Sequence, residues 1–254
     1  MHILLTNDDG FGAKGIEALI HEARSRGHRV SICAPDGERS AVSHAITLRR
    51  GIRVVERAAE GVERALAADG TPADCARLGL YLIRDVDLTI SGVNNGSNMG
   101  GACIYSGTVA AATEASMSGC PALAVSVLGH NHHEYGFSAK LALDVAEWMT
   151  THPLPRGAIY NLNVPHLPAE EIRGVRAANL AATYLDDPYY NEIKTEEGTF
   201  YAYGHGVDSV PGVAPDSDVA VTDAGYASLS VLSWNLQDAL PLPDVDDLNR
   251  RAET

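Results

Sequence analysis

The stretch Ile3-Leu4-Leu5-Thr6-Asn7-Asp8-Asp9-Gly10 decides how the chain is read. Ile3, Leu4 and Leu5 form an apolar run without alternation, the pattern of a strand buried on both faces in a parallel sheet. The run breaks into Asn7, Asp8, Asp9 and Gly10, all good turn formers. In open α/β sheets ligands bind beyond the carboxyl ends of strands, and this turn is such an end. Asp8 and Asp9 would point to opposite faces of a continuing strand, whereas a turn opened by Gly10 lets both carboxylates converge. Adjacent carboxylates repel unless positive charge lies between them. The turn is therefore either a plain connector or part of a hard-cation site.

Outward from this turn, Lys14 to Arg26 carries Ile16, Leu19, Ile20 and Ala23 at helical spacing, with Gly27 as a stop. Val30 to Ala34 is a second buried strand ended by Pro35, so the chain opens with a β-α-β unit, expected to be a right-handed parallel crossover. The polar loop that follows carries Ser40, Ser43 and His44 and leaves the same sheet edge as the acidic turn. Weaker strand signals cover Ile46 to Leu48, Ile52 to Val55 and Val62 to Leu66. Thr71-Pro72-Ala73-Asp74 is a helix start, with Thr71 as N-cap and Asp74 as the acid that reaches back, and the helix is expected to run to about Ile83.

Leu88 to Ser91 reads as the next strand, followed by a loop from Gly92 to Gly101 with four glycines and three asparagines. A loop so costly in chain entropy is not a casual connector. Helix is expected from Ser106 to Ser118, strand from Ala122 to Val127, helix from Ala139 to Met149 and strand from Ile159 to Val164. Beyond Pro165 the alternation fades. Tyr184, Tyr189, Tyr190, Tyr201 and Tyr203 cluster, read as packing or as a platform for a base. Gly204 to Asp218 is rich in Gly and Pro, and Val219 to Thr222 and Ala227 to Leu232 look like strands. The expectation is one α/β domain with a mainly parallel sheet: a core over 1–165 and a hairpin-rich arm and tail over 166–254.

The chain of 254 residues has 33 acidic against 19 basic residues, a formal net charge of −14. That balance argues against duplex nucleic acid, where Lys and Arg neutralise phosphates. It leaves small phosphorylated ligands open, because one metal ion reverses a local field. Cys33, Cys75, Cys103 and Cys120 show no paired or metal-finger spacing and read as packed thiols in a reducing compartment. Met1 runs directly into the first strand with no basic leader, and nothing approaches the ~18 apolar residues of a membrane span. A soluble cytoplasmic chain is expected, with no membrane partner.

Three loops thus leave one sheet edge with Asp8 and Asp9, with Ser40, Ser43 and His44, and with Asn94, Asn95 and Asn98. All are oxygen donors apart from one histidine, which selects Mg²⁺, Mn²⁺ or Ca²⁺ over zinc or copper. An incompletely filled site of that kind is what metal-assisted catalysis requires. Tyr105-Ser106-Gly107-Thr108 then opens the alanine-rich helix. Ser106 is a helix cap, or else one wall of an anion site at the helix start. His44 is either a surface histidine or a general acid for a leaving oxygen. His130, His132 and His133 read as a solvated loop.

The same residues carry a family resemblance. Thr6-Asn7-Asp8-Asp9-Gly10, Ala34-Pro35-Asp36 with Glu38-Arg39-Ser40 and Ser43-His44, Gly70 to Cys75, Ser91-Gly92-Val93-Asn94 with Gly96 and Asn98, and Tyr105 to Val109 resemble the survival protein E (SurE) family of 5′/3′-nucleotidases. Asn161-Leu162-Asn163-Val164-Pro165 and Gly225-Tyr226-Ala227-Ser228 are similar to its later landmarks. The resemblance implies a Rossmann-like three-layer core and a C-terminal arm exchanged between subunits, giving a homodimer or homotetramer. It implies hydrolysis of nucleoside 5′- and 3′-monophosphates, and of short polyphosphate in some members, with one divalent cation per subunit. It implies metal ligands at Asp8, Asp9, Ser40 and Asn94 and a phosphate site at Asn98, Ser106, Gly107 and Thr108. The segment Tyr184 to Phe200, short of basic residues, and Ser230-Val231-Leu232 depart from the family pattern. The rival expectation is a non-catalytic nucleotide- or phosphate-sensing module, since those also place neighbouring acids after a first strand.

Overall fold

A computed structural model of the chain describes residues 1–129, 135–182, 190–203 and 213–235. The elements in order are β1 (His2–Thr6), α1 (Lys14–Ser25), β2 (Arg29–Pro35), β3 (Val54–Glu56), β4 (Ala65–Ala68), α2 (Pro72–Leu82), β5 (Leu88–Asn95) and α3 (Gly107–Met117). They continue with β6 (Ala122–Val127), α4 (Gly136–Met149), β7 (Ala158–Val164), β8 (Val175–Ala177), β9 (Tyr190–Thr195), β10 (Gly198–Tyr203), α5 (Asp218–Asp223) and β11 (Ala227–Ser233). The main sheet has the order β3-β4-β2-β1-β5-β6-β7-β11-β8. It is parallel except where β3 meets β4 and where β11 meets β7.

The acidic turn lies at the centre of this sheet because β1 is paired on both sides, with β2 and with β5. Residues buried on both faces therefore have to be apolar throughout, which is the Ile3-Leu4-Leu5 run. Ile3 and Leu5 join Ile16, Leu19, Ile90, Leu123, Leu143 and Leu162 in the core beneath α1 and α4. Leu4 faces the other way, onto Cys33, Leu66 and Cys75 near α2. Small residues Ala111, Ala112 and Ala115 let α3 lie close on β6 and β7. Helices on both faces of a mostly parallel sheet make the three-layer α/β architecture.

Several local expectations change. Ile46 to Leu48 forms no strand. Its neighbourhood is claimed by the start of α2, where the Thr47 N–H donates to Asp74 at 3.0 and 3.2 Å and the Thr71 hydroxyl donates to the Ala45 carbonyl at 2.7 Å. The capping box of Thr71 and Asp74 is present as expected. The Gly92–Gly101 loop is shorter than the sequence suggests, since β5 continues to Asn95 through an irregularity between Ser91 and Asn94, and a 3₁₀ turn covers Gly100–Ile104. Val219 to Thr222 is not a strand but the body of α5, started by Ser217, whose hydroxyl accepts from the Ala220 N–H. A short cap outweighs the β preference of two valines.

The region after 165 also contributes to the core sheet, through β11 beside β7 and β8 beyond it. A separate antiparallel hairpin, β9–β10, is exposed along the whole of β9. His130, His132, His133, Tyr184, Tyr189, most of the Gly- and Pro-rich stretch and the acidic tail lie outside the described residues. All four cysteines are buried free thiols.

Candidate active site

Asn7 makes the acidic turn. Its side chain donates to the Gly10 carbonyl at 2.9 Å and accepts from the Gly10 N–H at 3.2 Å, closing the turn over itself. Gly10 has φ of 104°, a left-handed conformation that a side chain disfavours. The turn aims Asp8 at the start of α3. The Thr108 hydroxyl donates to one Asp8 oxygen at 2.5 Å and the Thr108 N–H to the other at 3.2 Å. A Cβ on Gly107 would stand 2.9 Å from the Asp8 Cβ, so only glycine lets the carboxylate cross the helix end.

Asp9, half-buried, accepts from the Asn95 N–H at 3.3 Å, which ties it to the end of β5. Asn94 reaches the same place: its Oδ1 takes a long 3.4 Å contact from the Thr108 hydroxyl that also serves Asp8, while its Nδ2 donates to the Gly96 carbonyl. Ser40 is carried in by its neighbour, because the Arg39 N–H donates to the Asp8 carbonyl at 2.7 Å. The Ser40 hydroxyl itself donates to Glu38 at 2.7 Å. Asp8, Asp9 and Asn94 are thus linked through Thr108 and the end of β5, whereas the exposed Ser40 adjoins them only through the backbone of Arg39.

The electrostatics are unusual. Burial pushes the Asp8 carboxyl well above the ordinary carboxylate range, against the pull of the bonds from Thr108, and Glu38 adds to the push. Asp9 is pushed up to about 6, by burial first and then by Asp8. Among the described residues no Lys, Arg or His forms an ion pair with either acid. A buried and a half-buried carboxylate side by side, with no such counter-charge, are unfavourable in isolation. Close by, Asn95 Oδ1 is buried with no hydrogen-bond partner among the described residues. An oxygen-only donor set with an excess of negative charge and a spare acceptor fits a hard divalent cation. Among the described residues no three His, Cys, Asp or Glu side chains gather in a cation-sized group, and this set has two such acids completed by a hydroxyl and an amide.

The donors expected to meet phosphate are partly engaged. The Ser106 hydroxyl caps α3 by accepting from the Val109 N–H at 3.0 Å, and Thr108 spends its N–H and hydroxyl on Asp8. Asn98 is buried with its amide nitrogen donating to Ser126 at 2.7 Å. His44 is joined by a residue that sequence reasoning missed. Its Nε2 lies 2.8 Å from Glu114, a buried carboxylate on α3 that Arg77 also approaches at 3.3 Å. Glu114 is the lone charge in the alanine-rich run Gly107–Met117, and that isolation was the available signal. The connecting loop holds Ala41 and Ser43 at φ near 55°, and Ser43 is fastened to the Tyr105 and Ile104 carbonyls. Such outliers persist where surrounding contacts over-determine them.

A model of the Survival protein SurE family matches residues 3–187. The 5′/3′-nucleotidase SurE of Proteus mirabilis (strain HI4320) is 40% identical over 238 residues, 91% of this chain and 89% of its own length. The 5′-nucleotidase SurE of Clostridium beijerinckii (strain ATCC 51743 / NCIMB 8052) is 35% identical over 250 residues, 96% of this chain and 98% of its own. The crystal structure of the SurE protein from Aquifex aeolicus superposes with a TM-score of 0.79 at 28% identity, covering both chains completely.

Proposed function

The chain belongs to the SurE family, and from that premise we propose that it hydrolyses nucleoside 5′- and 3′-monophosphates to nucleoside and phosphate, and short polyphosphate beside them, using one divalent cation. The observation that carries this reading is the Asp8–Asp9 pair, which has no basic partner among the described residues, with the buried Asp8 aimed at the start of α3 and the half-buried Asp9 held at the end of β5. Asp8, Asp9, Ser40 and Asn94 would hold the ion, Mg²⁺ or Mn²⁺ in the cell and Ca²⁺ as a substitute. When bound, it supplies positive charge at a phosphoryl oxygen and a water of lowered pKa.

The chain's own groups do the rest. Thr108 orients Asp8, and its donors are spent there. The phosphate rests against the Gly107 N–H at the positive end of α3, with Ser106 shaping the first turn and Asn98 closing the opposite side. Asp9, the more open acid, orients the attacking water and takes its proton at the oxygen that Asn95 leaves free. His44, steadied by Glu114 at Nε2, gives a proton from Nδ1 to the leaving ester oxygen. Fixed donors at the helix start oppose the charge that builds on the equatorial oxygens.

The subunits pair by exchanging arms, as a homodimer or homotetramer. The hairpin β9–β10 supports this, because an isolated two-stranded ribbon is marginal in water and this one leaves Ile193 and Phe200 about half exposed. Four unpaired buried thiols support a cytoplasmic location. Among the described residues no helix is long and apolar enough to cross a membrane.

The test is phosphate release from 5′-AMP, 5′-GMP and 3′-AMP by chelator-treated protein, with and without added Mn²⁺ or Mg²⁺. Release is expected only with metal. Full activity after chelation overturns the ion's role, and tight nucleotide binding without release makes the protein a sensor.

A further inference from the structure

The glycine-rich loop after β5 is held from two sides, at residues two apart. From β7, Asn163 binds both backbone polar groups of Asn98: its Oδ1 accepts the Asn98 N–H at 2.8 Å and its Nδ2 donates to the Asn98 carbonyl at 3.0 Å. One side-chain amide thereby does what a neighbouring strand would do. The Asn161 amide adds a second donor to that carbonyl at 2.9 Å, and the Cys103 thiol a third at 3.2 Å. These are the residues of the Asn161-Leu162-Asn163 motif, which the chemistry of the site leaves unused.

From the other side comes Asp218, at the first turn of α5. It is wholly buried, and among the described residues it forms no ion pair. One of its oxygens accepts the Gly100 N–H at 2.8 Å. The other accepts the N–H groups of Ala181 and Val219, both at 2.9 Å. Ala181 belongs to the segment that leads into the arm, and Asn179 beside it is bridged to the loop before α5. A buried carboxylate is costly to keep unless fixed donors surround it. Here the donors come from three separate stretches of chain. Removing the charge weakens all three, and an amide keeps only one acceptor oxygen for them.

We propose that Asp218 is a positioning residue, fastening the base of the arm to the loop that presents Asn98 to the substrate's phosphate, with Asn161 and Asn163 as the opposing clamp. This rests on the phosphate role given to Asn98 above. The clamp touches none of Asp8, Asp9, Ser40 or Asn94, so phosphate binding and metal binding should respond separately.

The test uses the full chain loaded with Mn²⁺. Calorimetric titration with inorganic phosphate, KM and kcat for 5′-AMP, and the Mn²⁺ dissociation constant are measured for Asp218→Asn and Asn161→Ala. For Asp218→Asn the phosphate dissociation constant and KM should rise about tenfold, with Mn²⁺ affinity unchanged. Asn161→Ala should move both in the same direction by about threefold. That variant is the milder one for folding, because it removes one of three donors together with Asn161 Oδ1, a buried oxygen without a partner among the described residues. Folded variants with a lower melting temperature but unchanged phosphate affinity overturn the proposal, and if Asp218→Asn fails to fold, Asn161→Ala decides alone. Wild-type protein that binds phosphate but releases none from AMP defeats the hydrolase reading instead, while the phosphate titration still judges the clamp.

Discussion

The two ends of the sheet are opposite in character. At the end where the strands begin, a cavity of about 540 Å³ opens between the C-terminal ends of α3 and α4, lined by Met1, Leu88, Cys120, Met149, Leu154 and Arg156 among others. It is roomy and mainly apolar, and no pair of like charges converges in it. At the end where the strands finish, the neighbouring acids Asp8 and Asp9 have raised carboxyl pKa values and, among the described residues, no basic partner. The first region offers space and the second offers chemistry. A hole in a protein measures imperfect packing, whereas a pair of acids held without a basic partner is stored electrostatic free energy that a proton or a bound cation relieves. Strand polarity agrees, since the acids stand at the carboxyl ends.

The contrast should appear as opposite mutational signatures. Asp8→Asn is expected to lower kcat for nucleotide hydrolysis by about 10³-fold or more while leaving the melting temperature unchanged or higher, since it removes a buried acid that has no basic partner among the described residues. Steady-state kinetics beside thermal unfolding checks both halves, and an active variant refutes the ligand assignment. Met149→Ala, in the cavity wall, is expected to do the reverse: a loss of about 2–4 kcal/mol in urea unfolding with kcat unchanged. A large loss of turnover there would move function toward the cavity.

The smallest effect expected is at Asp74, which joins the start of α2 to the segment beyond His44. Burial pushes this carboxyl up, but the bonds it accepts from Thr71 and Thr47 outweigh that and hold it below the usual range. A carboxylate depressed in the folded state stabilises above its unfolded pKa near 3.9 and loses that contribution as pH falls through the folded value. Asp74→Ala should therefore cost about 1 kcal/mol at neutral pH and flatten the fall in stability below pH 4. Urea unfolding at pH 7 and pH 3 measures the difference. An unchanged acid limb would sever this link.

What could be read early was whatever is local in the chain. Asp8 and Asp9 are neighbours, so their shared position at a strand end was visible in the order of residues, as was the capping box of Thr71 and Asp74. Contacts across long separations were not. Thr108 looks like a phosphate ligand beside a glycine, yet a partner 100 residues away takes its hydroxyl. Glu114 becomes meaningful only once His44 is brought 2.8 Å from it. Asp218 was hidden at the end of a Gly- and Pro-rich stretch, beside a segment that looks like a strand because of Val219 and Val221, and the Ser217 cap is a single residue.

By itself the sequence determined the alternation of strands and helices, the two acids at the first strand's end and the oxygen-only chemistry of the rim, because these follow from periodicity and side-chain type. The tertiary structure decided which donors remain free for a ligand, which carboxylates lose their water and how the end of the chain returns to brace the glycine-rich loop. Hydrogen-bond partnership and desolvation depend on what lies opposite in space, and sequence order carries little of that.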